Sequence, residues 1–200
     1  MSTRAPKGPA TLVVIDMQSG FRDGTSQWCV SRYDEVVPVI EALSEAIPGP
    51  AVFTRFVSDP ADVQGAWAAY YRHWNEMLLP EDAPEWDLTL SVPAGSAVVT
   101  KTTFSKWGPE LAALIPAGGE LILTGVATDC CVLSTALGAV DAGRYVTVIA
   151  DACAAVTDEA QQQALALLDL LQPMCRVLSS DEFLAAGPVA DGATVQSAAR

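Results

Sequence analysis

The stretch LILTGVATDCCVLSTALGAVDAGRYVTVI, residues 121–149, decides the fold. Two short apolar runs, 121–124 and 145–149, flank a segment over 130–141 whose apolar residues recur at helical spacing. Runs that apolar suit strands covered on both faces, and a helix joining two such strands is the crossover of a parallel sheet. Gly143, just past the helical pattern, supplies the stop before the second strand.

The same alternation extends in both directions. Residues 11–15, 51–53, 97–100 and 175–178 are further strand candidates, and 34–47, 65–74, 109–115 and 158–171 read as helices. Pro48-Gly49-Pro50 and Gly118-Gly119 close two of these helices, and Thr157 ahead of Asp158 and Glu159 opens another with a cap and an acidic first turn. The pattern predicts one three-layer α/β/α domain over residues 8–186, Rossmann-like, around a six-stranded, mainly parallel sheet. Residues 78–93 read as a loop carrying surface features, and 187–200, without periodicity, as a flexible tail.

Composition narrows the function classes. Eleven Lys and Arg against 24 Asp and Glu give a net charge of −13, and no window clusters the cations that binding a phosphate backbone requires. No apolar run reaches the ~18 residues of a membrane helix, and the first ten residues lack the apolar segment of a signal peptide. A cytoplasmic protein with no nucleic-acid or membrane partner is expected. The five cysteines, Cys29, Cys130, Cys131, Cys153 and Cys175, form neither a disulfide framework nor a CxxC or Cys/His metal cluster.

In an open parallel sheet, ligands bind beyond the carboxyl ends of the strands, where the strand order reverses. Asp16 follows the first strand, Lys101 the third, and Gly125 to Cys131 the fourth, so an acid, a base and a thiol come to one edge. Cys131 in the first turn of a helix, near an ammonium from Lys101, would have a lowered thiol pKa, and Asp16 could take its proton. Each residue alone also has a structural reading: a buried cysteine, a strand-closing aspartate, a surface lysine.

Three blocks together resemble a known family. Val14-Ile15-Asp16-Met17-Gln18 with Phe21, Lys101 with Phe104, Ser105 and Trp107, and Gly125-Val126-Ala127-Thr128-Asp129-Cys130-Cys131-Val132 with Thr135 are similar to the signature blocks of the isochorismatase-like cysteine hydrolases, over about residues 10–178. The resemblance implies a catalytic triad of Cys131 as nucleophile, Asp16 as general acid/base and Lys101 as the residue that polarises both. It implies a cis peptide between Val126 and Ala127, an oxyanion hole from the Ala127 and Cys131 N–H groups, and a homodimer or homotetramer. The implied reaction is hydrolysis of an amide, carbamoyl or lactam C–N bond of a small molecule through a thioester. The alternatives are an isochorismatase-type vinyl-ether hydrolysis, which needs only the acid, and a non-enzymatic redox-sensing or binding role for Cys130 and Cys131.

Nicotinamidases of that family hold a metal with an Asp-x-His motif after the second strand and a further histidine. The equivalent stretch here is Thr54-Arg55-Phe56-Val57-Ser58-Asp59-Pro60, and His73 is the only histidine, so neither a metal nor another cofactor is expected. Phe21, Phe104 and Trp107 directly follow the blocks and are pocket candidates, with Trp28 on the loop after the first strand. Trp67, Tyr70, Tyr71 and Trp74 share one helical face, which suits core or an oligomer interface, with Trp67 also a candidate wall of the pocket. The surplus of acids favours a neutral or cationic substrate over an anionic one.

Overall fold

The computed structural model describes residues 9–186. Six strands form one sheet in the order β3-β2-β1-β4-β5-β6, and every adjacent pair is parallel. They are β1 (Ala10–Ile15), β2 (Val52–Phe56), β3 (Ala97–Lys101), β4 (Glu120–Val126), β5 (Tyr145–Ala154) and β6 (Cys175–Leu178). The chain builds outward from β1 in one direction, then returns to pair β4 with β1 and builds the other way. Right-handed crossovers running in opposite directions place their helices on opposite faces, which gives the three layers expected from the sequence. The tail predicted at 187–200, and residue 8, lie outside the described residues.

The helices are α1 (Ser19–Arg22), α2 (Tyr33–Ala46), α3 (Ala66–His73), α4 (Pro109–Leu114), α5 (Leu133–Asp141), α6 (Asp158–Asp169) and α7 (Ser180–Ala186). In α2 the buried residues Tyr33, Val36, Ile40 and Leu43 recur every three or four positions and form the stripe that meets β4 and β5. The Thr157 hydroxyl accepts from the Ala160 N–H at 3.1 Å and caps α6. Central β4 is buried along its whole length. β3, at the sheet edge, buries only Val99 and leaves Val98 and Thr100 exposed, so its apolar sequence is only partly covered.

Two features differ from the sequence reading. The 78–93 segment is not a surface loop, because it contains a 3₁₀ turn (Pro84–Trp86) whose Trp86 is fully buried. Gln18 holds it in place: its amide donates to the carbonyls of Phe56 (2.9 Å) and Trp86 (2.8 Å), and its Oε1 accepts from the Phe56 N–H (2.8 Å). A buried amide with its groups satisfied in this way ties the exits of β1 and β2 to the loop. Second, the segment after β4 does not enter an α-helix at Cys130. Thr128–Val132 makes one wide π-helical turn before α5 begins at Leu133.

Gly125 brings the two central strands together. Its φ is +101°, and a Cβ there would stand 2.1 Å from the Ile15 carbonyl oxygen. Only glycine allows this approach. Ile15 is paired with Gly125, so the residues that follow each strand, Asp16 and the Ala127–Cys131 turn, emerge side by side.

Candidate active site

The crevice at the β1/β4 reversal holds an acid, a cation and a thiol. Asp16 has φ +47°, in the left-handed region that aspartate tolerates better than most residues, and this turns its side chain off the end of β1. Its N–H donates to the Thr54 hydroxyl at 3.2 Å, and that hydroxyl donates to Asp16 Oδ1 at 2.6 Å. Oδ2 lies 2.9 Å from Lys106 Nζ, and both side chains are fully buried. The ammonium also donates to the Thr103 carbonyl at 2.7 Å and sits 4.6 Å above the centre of the Phe56 ring. A charge taken out of water needs such compensation: a counter-ion, a hydrogen bond and a ring face.

Lys106 is linked to the thiol through the backbone as well. Its N–H donates to Thr135 Oγ1 at 2.8 Å, and that hydroxyl donates to the Cys131 carbonyl at 2.7 Å. The β3–α4 loop and the π-turn are thereby held in one register. The peptide between Val126 and Ala127 is cis, and the Ala127 carbonyl accepts from the N–H groups of Cys130 and Val132, both at 3.1 Å.

Lys101, the lysine expected here from the sequence, is elsewhere. It ends edge strand β3, with β2 standing between it and β1. Its ammonium lies against Gly108, where an added Cβ would be 2.6 Å from Nζ, and it lines an open groove with Asp59, Glu81 and Glu110. The loop after β3 must double back across β2 before a lysine can reach Asp16, and the residue that does so is Lys106. The signal was present in the sequence, since two of the chain's three lysines stand five residues apart in this block, and Lys106 lies between Ser105 and Trp107.

Cys131 is 2% exposed. Burial pushes its thiol well above the ordinary value; the Lys106 ammonium opposes that rise, and Asp16, as charge and as hydrogen-bond acceptor, adds to it. The lowered pKa expected from a helix N-terminus is therefore not found, because loss of solvation outweighs the neighbouring cation. At rest Cys131 is a neutral thiol beside the Asp16 side chain. Iodoacetamide labelling of Cys131, read by peptide mass, is expected to accelerate about tenfold per pH unit from pH 7 to 9, following the thiolate fraction. A rate flat across that range would mean that the thiolate already exists at neutral pH. Neighbouring Cys130 is half-buried, with its thiol pushed up to about 11, chiefly by burial.

The thiol opens into a cavity of about 120 Å³. Phe21, Trp28 and Phe104 line it, as do Tyr70 and Trp74 from the aromatic stripe and Phe56, to which the sequence analysis gives no role. Phe56 closes β2, so the rule that drew attention to Asp16 applies to it equally. Trp28 stacks on Phe21 at 5.6 Å and meets Phe56 edge-on at 5.1 Å. The α3 stripe is divided: Tyr70 and Trp74 face the cavity, Tyr71 is buried, and Trp67 stands behind the wall, 4.9 Å from the Phe104 ring. Trp107 is not in the cavity. Its Cβ lies 3.1 Å from where a Cβ on Gly138 of α5 would be, and Arg144 lies 5.9 Å from its ring centre. Among the described residues no group of three or more His, Cys, Asp or Glu is placed to hold a metal ion, and no helix is long and apolar enough to cross a membrane.

Residues 10–182 match the Isochorismatase domain, and the chain belongs to this family of hydrolases. It is 42% identical over 88 residues to isochorismatase domain-containing protein 2 of Xenopus laevis, a match covering 42% of this chain and 38% of that protein's length. The fold resembles a cysteine hydrolase from Pseudomonas syringae pv. phaseolicola, with a TM-score of 0.78 at 19% identity, covering 93% of this chain and 98% of the other. It also resembles N-carbamoylsarcosine amidase from Thermoplasma acidophilum, with a TM-score of 0.66 at 23% identity, covering 86% and 96% of the two chains.

Proposed function

We propose that this protein is a cysteine hydrolase that cleaves the C–N bond of a small amide through a thioester on Cys131. The observation that carries the reading is the contact of the buried Asp16 carboxylate with the Lys106 ammonium at 2.9 Å, beside a thiol at the wall of an aromatic cavity. The amidase and cysteine hydrolase among the fold's relatives agree with it.

In the first half-reaction Asp16 takes the proton of Cys131 as sulfur bonds to the carbonyl carbon. The carbonyl oxygen becomes an oxyanion next to the Ala127 and Cys131 amides, both residues of the cavity wall. Asp16 then passes its proton to the departing nitrogen as the C–N bond breaks, which leaves a thioester. In the second half-reaction Asp16 takes a proton from water as the hydroxide oxygen bonds to the acyl carbon. The S–C bond breaks, Cys131 recovers the proton from Asp16, and the acid leaves. Lys106, 2.9 Å from Oδ2, holds the Asp16 side chain in place through these transfers.

Because the thiol is uncharged at rest, its proton moves during attack and not before it. The reading is tested by acid quenching during turnover of a slowly hydrolysed amide, followed by intact and peptide mass. An acyl adduct on Cys131, absent from Cys131→Ala, is expected. Turnover persisting in Cys131→Ala would instead indicate chemistry that needs only the acid.

A further inference from the structure

The cavity contains a ring of apolar and aromatic side chains and no cation free to receive an anion. Among the described lining residues there is no arginine, lysine or histidine, and the one charged side chain is Asp129. Lys106, just behind the wall, is already engaged by Asp16 Oδ2 and the Thr103 carbonyl. Arg55, the other basic residue near the end of β2, donates its Nε–H to the Trp86 carbonyl at 3.1 Å and does not line the cavity. Asp129 is anchored beside the thiol, where its Oδ1 accepts from the Val156 N–H at 3.3 Å and its Oδ2 lies 3.9 Å from Cys130 Sγ.

We infer that the substrate is an uncharged carboxamide of a single-ring or short branched apolar acid, and that amides carrying a carboxylate are rejected. This rests on the amide-hydrolase reading of the same site and adds the class of acyl group. Size supports it: an apolar cavity of about 150 Å³ accommodates benzene, so about 120 Å³ accommodates one small ring or a branched chain of similar bulk. Charge supports it more strongly. A carboxylate entering among Phe21, Trp28, Tyr70, Trp74 and Phe104 would lose its water, gain no counter-ion and face Asp129. An uncharged isopropyl or phenyl group loses nothing comparable and gains ring contacts.

The test uses an isosteric pair, 4-methylpentanamide and succinamate, in which an isopropyl group is replaced by a carboxylate. Binding to Cys131→Ala, with Cys131→Ser as a second variant, is followed by tryptophan fluorescence, since Trp28 and Trp74 line the cavity. Turnover by the wild-type protein is measured separately. The neutral amide is expected to bind at least about tenfold more tightly than the anion. Val156→Arg, at a half-exposed position on the rim, is expected to bring the anion at least about tenfold closer by supplying the missing cation. Succinamate binding as tightly as its neutral partner in Cys131→Ala, or neither probe binding at all, overturns the inference. Neutral binding without wild-type turnover refutes the amide-hydrolase reading and the substrate assignment with it, whereas neutral turnover alongside equal binding of succinamate refutes the assignment alone.

Discussion

Asp16→Asn is expected to lower kcat/KM for amide hydrolysis by at least about a thousandfold, within the range for losing a general acid/base that serves both half-reactions. The substitution isolates charge and basicity. Asparagine is among the few residues at ease at the +47° φ that this position requires. Its side-chain oxygen can still accept from the Thr54 hydroxyl, which donates to Oδ1 at 2.6 Å. What disappears is the site that receives the thiol proton and returns it to nitrogen. Lys106 then loses its counter-ion while buried, and a stability loss of about 3–5 kcal/mol accompanies the change. Activity is therefore read at a temperature where circular dichroism shows the variant folded. A variant within tenfold of wild type would remove Asp16 from the mechanism.

Lys106→Met and Lys101→Met are expected to separate by at least about a hundredfold in kcat/KM, with only the first impaired. Lys106 is the cation 2.9 Å from Asp16, whereas Lys101 borders a different groove. Methionine keeps the length of the stem and removes the charge, which leaves Asp16 buried without its cation. Should Lys106→Met fold poorly for that reason, Asp16→Asn/Lys106→Met removes both charges together and is expected to regain stability while remaining inactive. Loss of activity in Lys101→Met with a competent Lys106→Met would return the role to the residue first suggested by the sequence pattern.

That exchange of lysines shows where the sequence could be read and where it could not. Strand identity and order of elements follow from local pattern, and the β1/β4 crevice follows from a rule about parallel sheets, so Asp16 and the turn at Cys131 were located from the chain alone. The ends of irregular loops have no such rule. Residues 102–108 carry no periodicity, and which of their side chains crosses β2 depends on packing over Phe56 and on the Thr135 hydrogen bond to the Lys106 N–H. Trp107 was misplaced for the same reason, as adjacent residues in an irregular segment can face different elements. The direction of the Cys131 shift was also beyond the sequence. Proximity to a cation could be guessed, but the degree of burial, which outweighs it, is a property of the assembled fold.

The sheet order has a consequence for when the site comes into being. During synthesis Asp16 and Lys106 are made before Cys131, and the half-sheet β3-β2-β1 lacks the segment that carries it. Cys131 arrives with β4, whose pairing to β1 at Ile15 and Gly125 brings its sulfur to Asp16. Closure of the sheet and assembly of the Asp16, Lys106 and Cys131 cluster are therefore one event. On the proposed mechanism, turnover would count only molecules whose two halves have joined.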